Sequence, residues 1–140
     1  MYESAAVFVF VYGTLQRGQQ RAAMWPCSPL SIQRATTRGR LYDLKRYPAL
    51  SEGDDRVAGE VWEIAAQDVA TTLAVLDEIE CCGRDEVDLY IRRTVPCTLH
   101  DGRRVMAEAY FFAHPEQLPE TLRVLPDEQG VCRWPGAAQG

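Results

Sequence analysis

Two features of this sequence combine residue types and spacing suited to chemistry, and the first is a glycine-containing loop. The apolar run Val7–Tyr12 stops at Gly13, and Gly18 closes the loop that follows. A glycine directly after a buried strand lets the backbone turn sharply and brings its N–H groups close to a ligand. Such N–H groups suit a carboxylate or a developing oxyanion. From the residues alone, a strand that simply ends in a turn is the simpler interpretation.

The second feature is Glu80, which follows a run of helical periodicity. Val69, Leu73 and Leu76 precede it at spacings that place all four residues on nearly one helix face. A carboxylate there is partly desolvated and close to the negative end of the helix dipole. Both effects raise a carboxyl pKa towards the range that suits a general base. A frayed, solvated helix end explains the same position equally well.

The sequence offers few other candidates for catalysis. It contains no P-loop, no dinucleotide-binding glycine motif, no nucleophile elbow and no zinc-protease motif. His100 falls in a predicted turn and His114 leads into a proline-rich tail, so neither suits a catalytic triad. The five cysteines are irregularly spaced, which argues against a metal site, and the adjacent pair Cys81–Cys82 is expected to be two reduced thiols. If the protein is an enzyme, its base is expected to be a carboxylate.

Composition narrows the class of protein. A chain of 140 residues fits a single domain, 1–140, and its 46% hydrophobic and 25% charged residues are typical of globular proteins. A net charge of −5 argues against a nucleic-acid partner, and the local arginine clusters are interpreted as solvated strand faces. No apolar run reaches the roughly 20 residues that span a bilayer. Because Met1–Ser4 lacks a basic signal region, we expect no membrane association and a cytoplasmic location.

Periodicity and turn residues predict the elements that must position the loop and Glu80. Strands are predicted at Val7–Tyr12, Thr36–Leu44, Val57–Ile64, Tyr90–Leu99 and Val105–Phe112, with a helix at Gln67–Ile79 and a short helix at Gln19–Trp25. An acidic turn is predicted at Ser51–Asp55, and a hairpin at Asp101-Gly102. Prolines and glycines indicate that residues 115–140 form a tail over the surface. Strands on both sides of one helix predict a mixed, largely antiparallel α+β domain or a small, partly closed barrel.

Five short blocks, in the same order, resemble the γ-glutamylcyclotransferase-like superfamily. Tyr12–Gly18 matches the family's Y-G-[ST]-L-x-x-G signature, which also follows the first strand there. The other blocks are Gly39–Leu44 with Tyr47–Leu50, Val57–Trp62, Leu76–Glu80, which matches L-D-x-x-E, and Tyr90-x-Arg92. Together they cover roughly residues 7 to 112 of this chain. The resemblance implies a barrel of five or six mixed, mostly antiparallel strands with flanking helices.

The resemblance also implies a reaction on a small γ-glutamyl compound. The substrate's free α-amine attacks its own γ-carbonyl, which closes 5-oxoproline and releases the amine that had been linked there. Glu80 is implied as the general acid/base, and a reaction of this kind needs no metal and no organic cofactor. The residues expected to bind substrate are Tyr12, Gly13, Thr14, Leu15, Tyr90 and Tyr110, the last on its strand position alone.

This chain departs from the family pattern after the glutamate, where Cys81 replaces a glycine. If that glycine has positive φ in the family, the loop beyond Glu80 must be arranged differently here. The acidic residues within 81–89 lead to the hypothesis that an amine leaving group is favoured over an anionic one. Two alternatives stay open: a binding or regulatory protein that cyclises nothing, and a related lyase or acyltransferase acting on another amide. The sequence leaves the leaving group and the oligomeric state undetermined.

Overall fold

A computed structural model describes residues 6–19, 21–45, 47–79 and 90–135 of the chain. Its strands are β1 (Val7–Val11), β2 (Ser31–Asp43), β3 (Pro48–Ile64), β4 (Tyr90–Leu99), β5 (Arg104–Phe112) and β6 (Val131–Cys132). The α-helix α1 spans Val69–Ile79, and single 3₁₀ turns lie at Ala22–Met24, Ala66–Asp68, Pro115–Gln117 and Glu120–Leu122. The five predicted strands and the predicted helix at Gln67–Ile79 agree with these elements, although β2 and β3 are longer than expected. Where a short helix was predicted at Gln19–Trp25, the described residues form only the single 3₁₀ turn Ala22–Met24.

The sheet closes on itself to form a barrel. Its strand order is β1-β5-β4-β2-β3-β6, and β1 also pairs with β3, so five strands complete the ring and β6 lies outside it. Pairing is parallel between β1 and β5 and between β3 and β6, and antiparallel in the other pairs. Closure leaves the five ring strands without an unpaired edge. The predicted α+β fold, a small mixed barrel with a flanking helix, is therefore confirmed.

Strand β1 is apolar at every position because both of its faces are buried. Phe10 packs with alternate residues of the other strands in one apolar cluster. Val9 and Val11 point the other way, into a second cluster that includes Leu76 of α1. Phe10, Val9 and Leu76 are all 0% exposed. A strand buried on both faces produces a continuous hydrophobic run rather than an alternating one.

The long hairpin of β2 and β3 corrects one expectation. Instead of the predicted acidic turn at Ser51–Asp55, the chain continues as strand through these residues, and the hairpin turns earlier, between Leu44 and Tyr47. The register shifts there: Ser51 pairs with Arg40, whereas Asp55 pairs with Gly39. Residues 52–54 therefore have no ladder partner opposite them. A bulge accommodates polar residues within a strand. In the sequence, these polar residues therefore have the composition that is typical of a turn.

The tail lies closer to the core than expected. Residues 115–140 were predicted to run over the surface, but Val131, Cys132 and Trp134 are at most 5% exposed. The Trp134 indole N–H donates a 3.0 Å hydrogen bond to Oδ1 of Asp43. For these three residues the surface prediction is wrong, because pairing of β6 with β3 places Val131 and Cys132 against the core and the bond to Asp43 holds Trp134 there.

Helix α1 is short. In the described part of the chain, no helix has the length and apolar character needed to cross a membrane. The cytoplasmic location expected from the sequence stays a prediction.

Candidate functional site

A pocket opens where β1 ends and the glycine loop begins. Its volume is about 640 Å³, counted out to its open mouth. Its described lining consists of Phe10, Val11, Tyr12, Gly13, Thr14, Leu15, Arg21, Tyr47, Pro48, Ile79, Tyr90 and Tyr110. The structure thus brings together all six residues that the sequence suggested for substrate binding, although their role stays a prediction. Glu80, the predicted base, lies outside the described residues.

The first two residues of the loop are held by contacts with other strands. The Tyr12 hydroxyl is buried and donates a hydrogen bond to the backbone carbonyl of Tyr110 on β5. Gly13 packs so closely on Pro48 that a Cβ atom added to it would lie 2.5 Å from Cδ of that proline. The glycine is therefore required by close approach of two chain segments, and not by a positive φ.

Glu60 on β3 anchors the far side of the loop. Its Oε1 accepts a 2.8 Å hydrogen bond from the backbone N–H of Arg17 and a 3.1 Å bond from the Trp62 indole. Within the loop, the Gln16 N–H donates to the Gly13 carbonyl at 3.1 Å. Glu60 is the acidic residue inside the block Val57–Trp62. Its hydrogen bonds explain why an acid lies at this position, because they fix the loop to the barrel.

Two stacked indoles, those of Trp25 and Trp62, hold the loop at Leu15. The rings of Trp25 and Trp62 lie 4.0 Å apart between centroids and are inclined by only 4°. The Trp25 indole N–H donates a 2.9 Å hydrogen bond to the Leu15 carbonyl. Within the described part of the chain, the N–H groups of Gly13, Thr14 and Leu15 have no hydrogen-bond acceptor, so they are free to bind a ligand oxygen.

Tyr90 forms the opposite wall. Its hydroxyl donates a 2.8 Å hydrogen bond to the Pro48 carbonyl, and the residue is 6% exposed. Its ring meets the rings of Tyr47 and Phe112 edge to face, with centroid separations of 6.2 and 5.7 Å. Edge-to-face contacts of this kind hold aromatic rings in defined orientations. Tyr90 and Gly13 both contact Pro48, which therefore joins the two walls.

Tyr110 and Arg92 meet at one carboxylate of helix α1. The Tyr110 hydroxyl donates a 2.6 Å bond to Oδ1 of Asp77, and Arg92 Nη2 donates a 3.1 Å bond to Oδ2. Arg92 Nε lies 3.0 Å from Oδ1, close enough for an ion pair but without hydrogen-bond alignment. Burial favours a lower pKa for Arg92, yet the Asp77 charge and hydrogen bond prevail and raise this pKa. Asp77 thus couples the last turn of α1 to β4 and β5.

Sequence reasoning missed several residues of this site. Tyr47, Pro48 and Asp77 all belong to matched blocks, but the sequence alone assigns none of them a role in the site. The signal for Asp77 was the pairing of L-D with Y-x-R, since an acid and a base in separate blocks suggest an ion pair. Arg21 had no signal, because it lay in a segment predicted only as a short helix.

Comparison with known proteins agrees with this architecture. Residues 9–129 match the model of the family described as "Gamma-glutamyl cyclotransferase, AIG2-like". A Vibrio cholerae protein described as "Putative gamma-glutamylcyclotransferase" is 42% identical over 73 residues, which are 51% of this chain. That match covers 60% of the length of the relative.

Solved structures share the fold. An AIG2-like protein from mouse has a TM-score of 0.62 and 26% identity, over 94% of this chain and 97% of the mouse chain. An Arabidopsis thaliana protein gives 0.62 at 20% identity, over 99% of this chain and 83% of its own. YkqA from Bacillus subtilis gives 0.56 at 23% identity and covers 77% of this chain but only 36% of its own length. The barrel, the pocket loop and the family match over residues 9–129 lead to one conclusion: the chain belongs to the gamma-glutamyl cyclotransferase, AIG2-like family.

Proposed function

We propose that the protein is a γ-glutamyl cyclotransferase that releases 5-oxoproline from a small γ-glutamyl compound, with Glu80 as general acid/base. One observation carries this proposal beyond family membership. The loop Tyr12–Leu15, the walls Tyr90 and Tyr110, and the end of α1 at Ile79 all line one pocket. Glu80 follows Ile79 directly in the sequence. A carboxylate, free N–H donors and a pocket beside them are the parts that this cyclisation needs.

The chemistry follows from these parts. Glu80 accepts a proton from the substrate's α-amine as the amine nitrogen bonds to the γ-carbonyl carbon. The carbonyl electrons move onto oxygen, and N–H donors of Gly13 to Leu15 stabilise this oxyanion. As the carbonyl re-forms, the bond to the leaving nitrogen breaks and that nitrogen takes the proton from Glu80. The pocket's main contribution is to hold the extended substrate in the folded conformer that closes the ring.

The charge of the segment after Glu80 indicates which class of leaving group is favoured. Segment 81–89, which follows the base in the sequence, contains the acidic residues Asp85, Glu86 and Asp88 and one basic residue, Arg84, so its net charge is negative. Negative charge there disfavours an anionic leaving group, since like charges raise the cost of binding. We therefore propose γ-glutamyl-amines as better substrates than γ-glutamyl-amino acids or glutathione.

A substrate panel tests the activity. The purified protein is incubated with γ-glutamyl-alkylamines, γ-glutamyl-amino acids and glutathione, and 5-oxoproline is measured by chromatography. We expect release from the first class, with lower kcat/KM for the others. A compound that binds but stays chemically intact over long incubation would instead identify a binding protein of the same fold. Equal kcat/KM across the panel would contradict the assignment of the leaving group.

The base is tested by Glu80→Gln. Loss of a general base lowers kcat by at least roughly 10²-fold, and the thermal unfolding midpoint should stay unchanged. Glu78→Gln is the matched control, because it removes the same charge from an exposed position of α1, two residues before Glu80 in the sequence. Unchanged 5-oxoproline release by Glu80→Gln would rule out this role for Glu80.

A further inference from the structure

Arg21 stands out in the pocket because of its charge. Among the described lining residues it alone is ionised, and the others are apolar side chains, tyrosines, Gly13 and Thr14. Charged groups are rarely placed in an otherwise apolar pocket, because transferring them from water costs free energy. A lone cation in such a lining therefore points to an anionic ligand.

The backbone of Arg21 is tied to the pocket loop. Its N–H donates a 2.7 Å hydrogen bond to the Thr14 carbonyl, and its own carbonyl accepts a 2.9 Å bond from the Met24 N–H. These bonds involve main-chain atoms only, so they survive a change of side chain. Arg21 is thus held on the segment that also presents the N–H groups of Gly13 to Leu15.

The guanidinium of Arg21 has no carboxylate partner in the described part of the chain. The contrast with Arg92 is informative, since Arg92 lies between Asp77 and Glu108 and is neutralised by them. An arginine fork matches the two oxygens of a carboxylate and can bind both at once. The half-buried Arg21 is therefore available for a carboxylate that enters the pocket.

We propose that Arg21 binds the α-carboxylate of the γ-glutamyl group. This assignment rests on the proposed function. Every γ-glutamyl compound carries this carboxylate, and ring closure leaves it unchanged, so a single cation serves any leaving group. The guanidinium also assists the chemistry. A positive charge near the α-ammonium, paired with its carboxylate, lowers the pKa of that ammonium and increases the fraction present as nucleophilic amine.

The test compares two substrates and three proteins. The substrates are a γ-glutamyl-alkylamine and the same compound with its α-carboxylate converted to a carboxamide. The proteins are the wild type, Arg21→Gln and the control Arg17→Gln, which removes an equal charge from the same loop. The Arg17 side chain is 64% exposed and lies outside the pocket lining.

For the carboxylate substrate, Arg21→Gln should lower kcat/KM by roughly 10- to 100-fold, the usual effect of losing a charge-assisted hydrogen bond. Most of the change should lie in KM, and Arg21→Lys should restore part of it. For the carboxamide substrate, Arg21→Gln and wild type should be equal. Arg17→Gln should match wild type on both. An equal loss for Arg21→Gln on both substrates would overturn the proposal.

A third substrate separates the two possible carboxylates. With a γ-glutamyl-amino acid, the leaving group carries a carboxylate of its own. If Arg21→Gln impairs only this compound and not the γ-glutamyl-alkylamine, Arg21 recognises the leaving group, and the assignment to the α-carboxylate is overturned. A similar loss on both compounds supports it.

Product binding supplies a readout that does not depend on turnover. By NMR titration, wild type should bind 5-oxoproline more tightly than 2-pyrrolidinone, which has the same lactam ring without a carboxylate, and Arg21→Gln should abolish the difference. If wild type cyclises nothing, the proposed function fails, whereas this preference still decides the arginine site. Equal preference in wild type and Arg21→Gln would overturn the site even in an active enzyme.

Discussion

The Tyr110 hydroxyl donates a 2.6 Å hydrogen bond to Oδ1 of Asp77, and this bond connects β5 to the last turn of α1. Arg92 of β4 binds the same carboxylate. The two side chains of Asp77 and Arg92 are 27% and 30% exposed, so water screens this pair only in part. The wall of the pocket and the helix that precedes Glu80 in the sequence are therefore coupled through one acidic side chain.

Removing this carboxylate should destabilise the protein and impair the site. Asp77→Ala removes the acceptor on α1 for the Tyr110 hydroxyl and one of the two carboxylates that Arg92 contacts, and we expect the free energy of unfolding to fall by about 1–3 kcal/mol. Asp77→Asn should cost less, because its amide oxygen still accepts from Tyr110. Urea denaturation measures both, and 5-oxoproline release should fall in the same order.

The interaction between Asp77 and Tyr110 can be measured separately from the stability that each substitution costs by itself. A double-mutant cycle of Asp77→Ala with Tyr110→Phe should give an interaction free energy of about 0.5–3 kcal/mol. The exposed pair Arg93–Glu52, whose side chains are 46% and 81% exposed, is the control. Its disruption by Glu52→Ala should change stability by less than about 1 kcal/mol. Additive effects of the Asp77 and Tyr110 changes would contradict the coupling.

Gly13 should tolerate no larger residue while Pro48 is present. The Cβ of Gly13→Ala would lie 2.5 and 2.6 Å from Cδ and Cγ of Pro48, so one segment must move. We expect a loss of about 1–3 kcal/mol in unfolding free energy. Because Pro48 also accepts the Tyr90 hydrogen bond, its displacement should disturb the opposite wall and lower kcat/KM.

The cause is tested by removing the ring. In a Pro48→Ala background, which lacks the two clashing atoms, Gly13→Ala should cost clearly less stability than in wild type. The measurement is thermal unfolding of four proteins: wild type, Gly13→Ala, Pro48→Ala and the double variant. If Gly13→Ala costs the same in both backgrounds, the clash with Pro48 does not explain the glycine.

Glu60 should matter through its hydrogen bonds rather than its charge. Glu60→Gln retains an acceptor oxygen for the Arg17 N–H and the Trp62 indole, whereas Glu60→Ala removes it. The ion pair with the Arg17 side chain contributes little, because the two groups are 3.9 Å apart and Arg17 is exposed. We expect a raised KM and about 1–3 kcal/mol lower stability for Glu60→Ala, and near wild-type values for Glu60→Gln. Equal effects of the two changes would point to charge instead.

The buried thiol of Cys97 should make the stability of the fold depend on pH in the alkaline range. Burial raises the pKa of its thiol from 9.0 to about 11, against a smaller opposing effect of a hydrogen bond with Thr37. Below pH 9 the thiol is protonated in both states. Between about pH 9 and 11 the unfolded chain loses the proton that the folded chain keeps, so stability falls across this window by up to ~2–3 kcal/mol.

The comparison with Cys97→Ala isolates this contribution from other groups that titrate in the same range. The variant should be less stable at neutral pH, because it leaves a cavity, but its stability should fall less steeply from pH 9 to 11. Chemical denaturation at several pH values gives both curves. Parallel curves for the two proteins would show that Cys97 does not carry the effect.

The strands and the helix could be predicted because local patterns carry them. The continuous run Val7–Tyr12 predicts a strand with two buried faces, and the stripe from Val69 to Leu76 predicts the helix. The Asp101-Gly102 hairpin also followed from turn chemistry alone, and the structure has it between β4 and β5. The bulge at residues 52–54 did not, because its polarity looks like a turn unless the register of the opposite strand is known.

By itself, the sequence determined the positions of the five ring strands and of helix α1, the barrel class through family-like blocks, and the identities of six pocket residues. Only the tertiary structure decided that β1 pairs with both β3 and β5, that Asp77 joins Tyr110 to Arg92, and that Arg21 lines the pocket. The physical reason is the range of the interactions. Periodicity and turn propensity depend on neighbours along the chain, whereas strand partners, close contacts and ion pairs depend on which distant segments the closed barrel brings together.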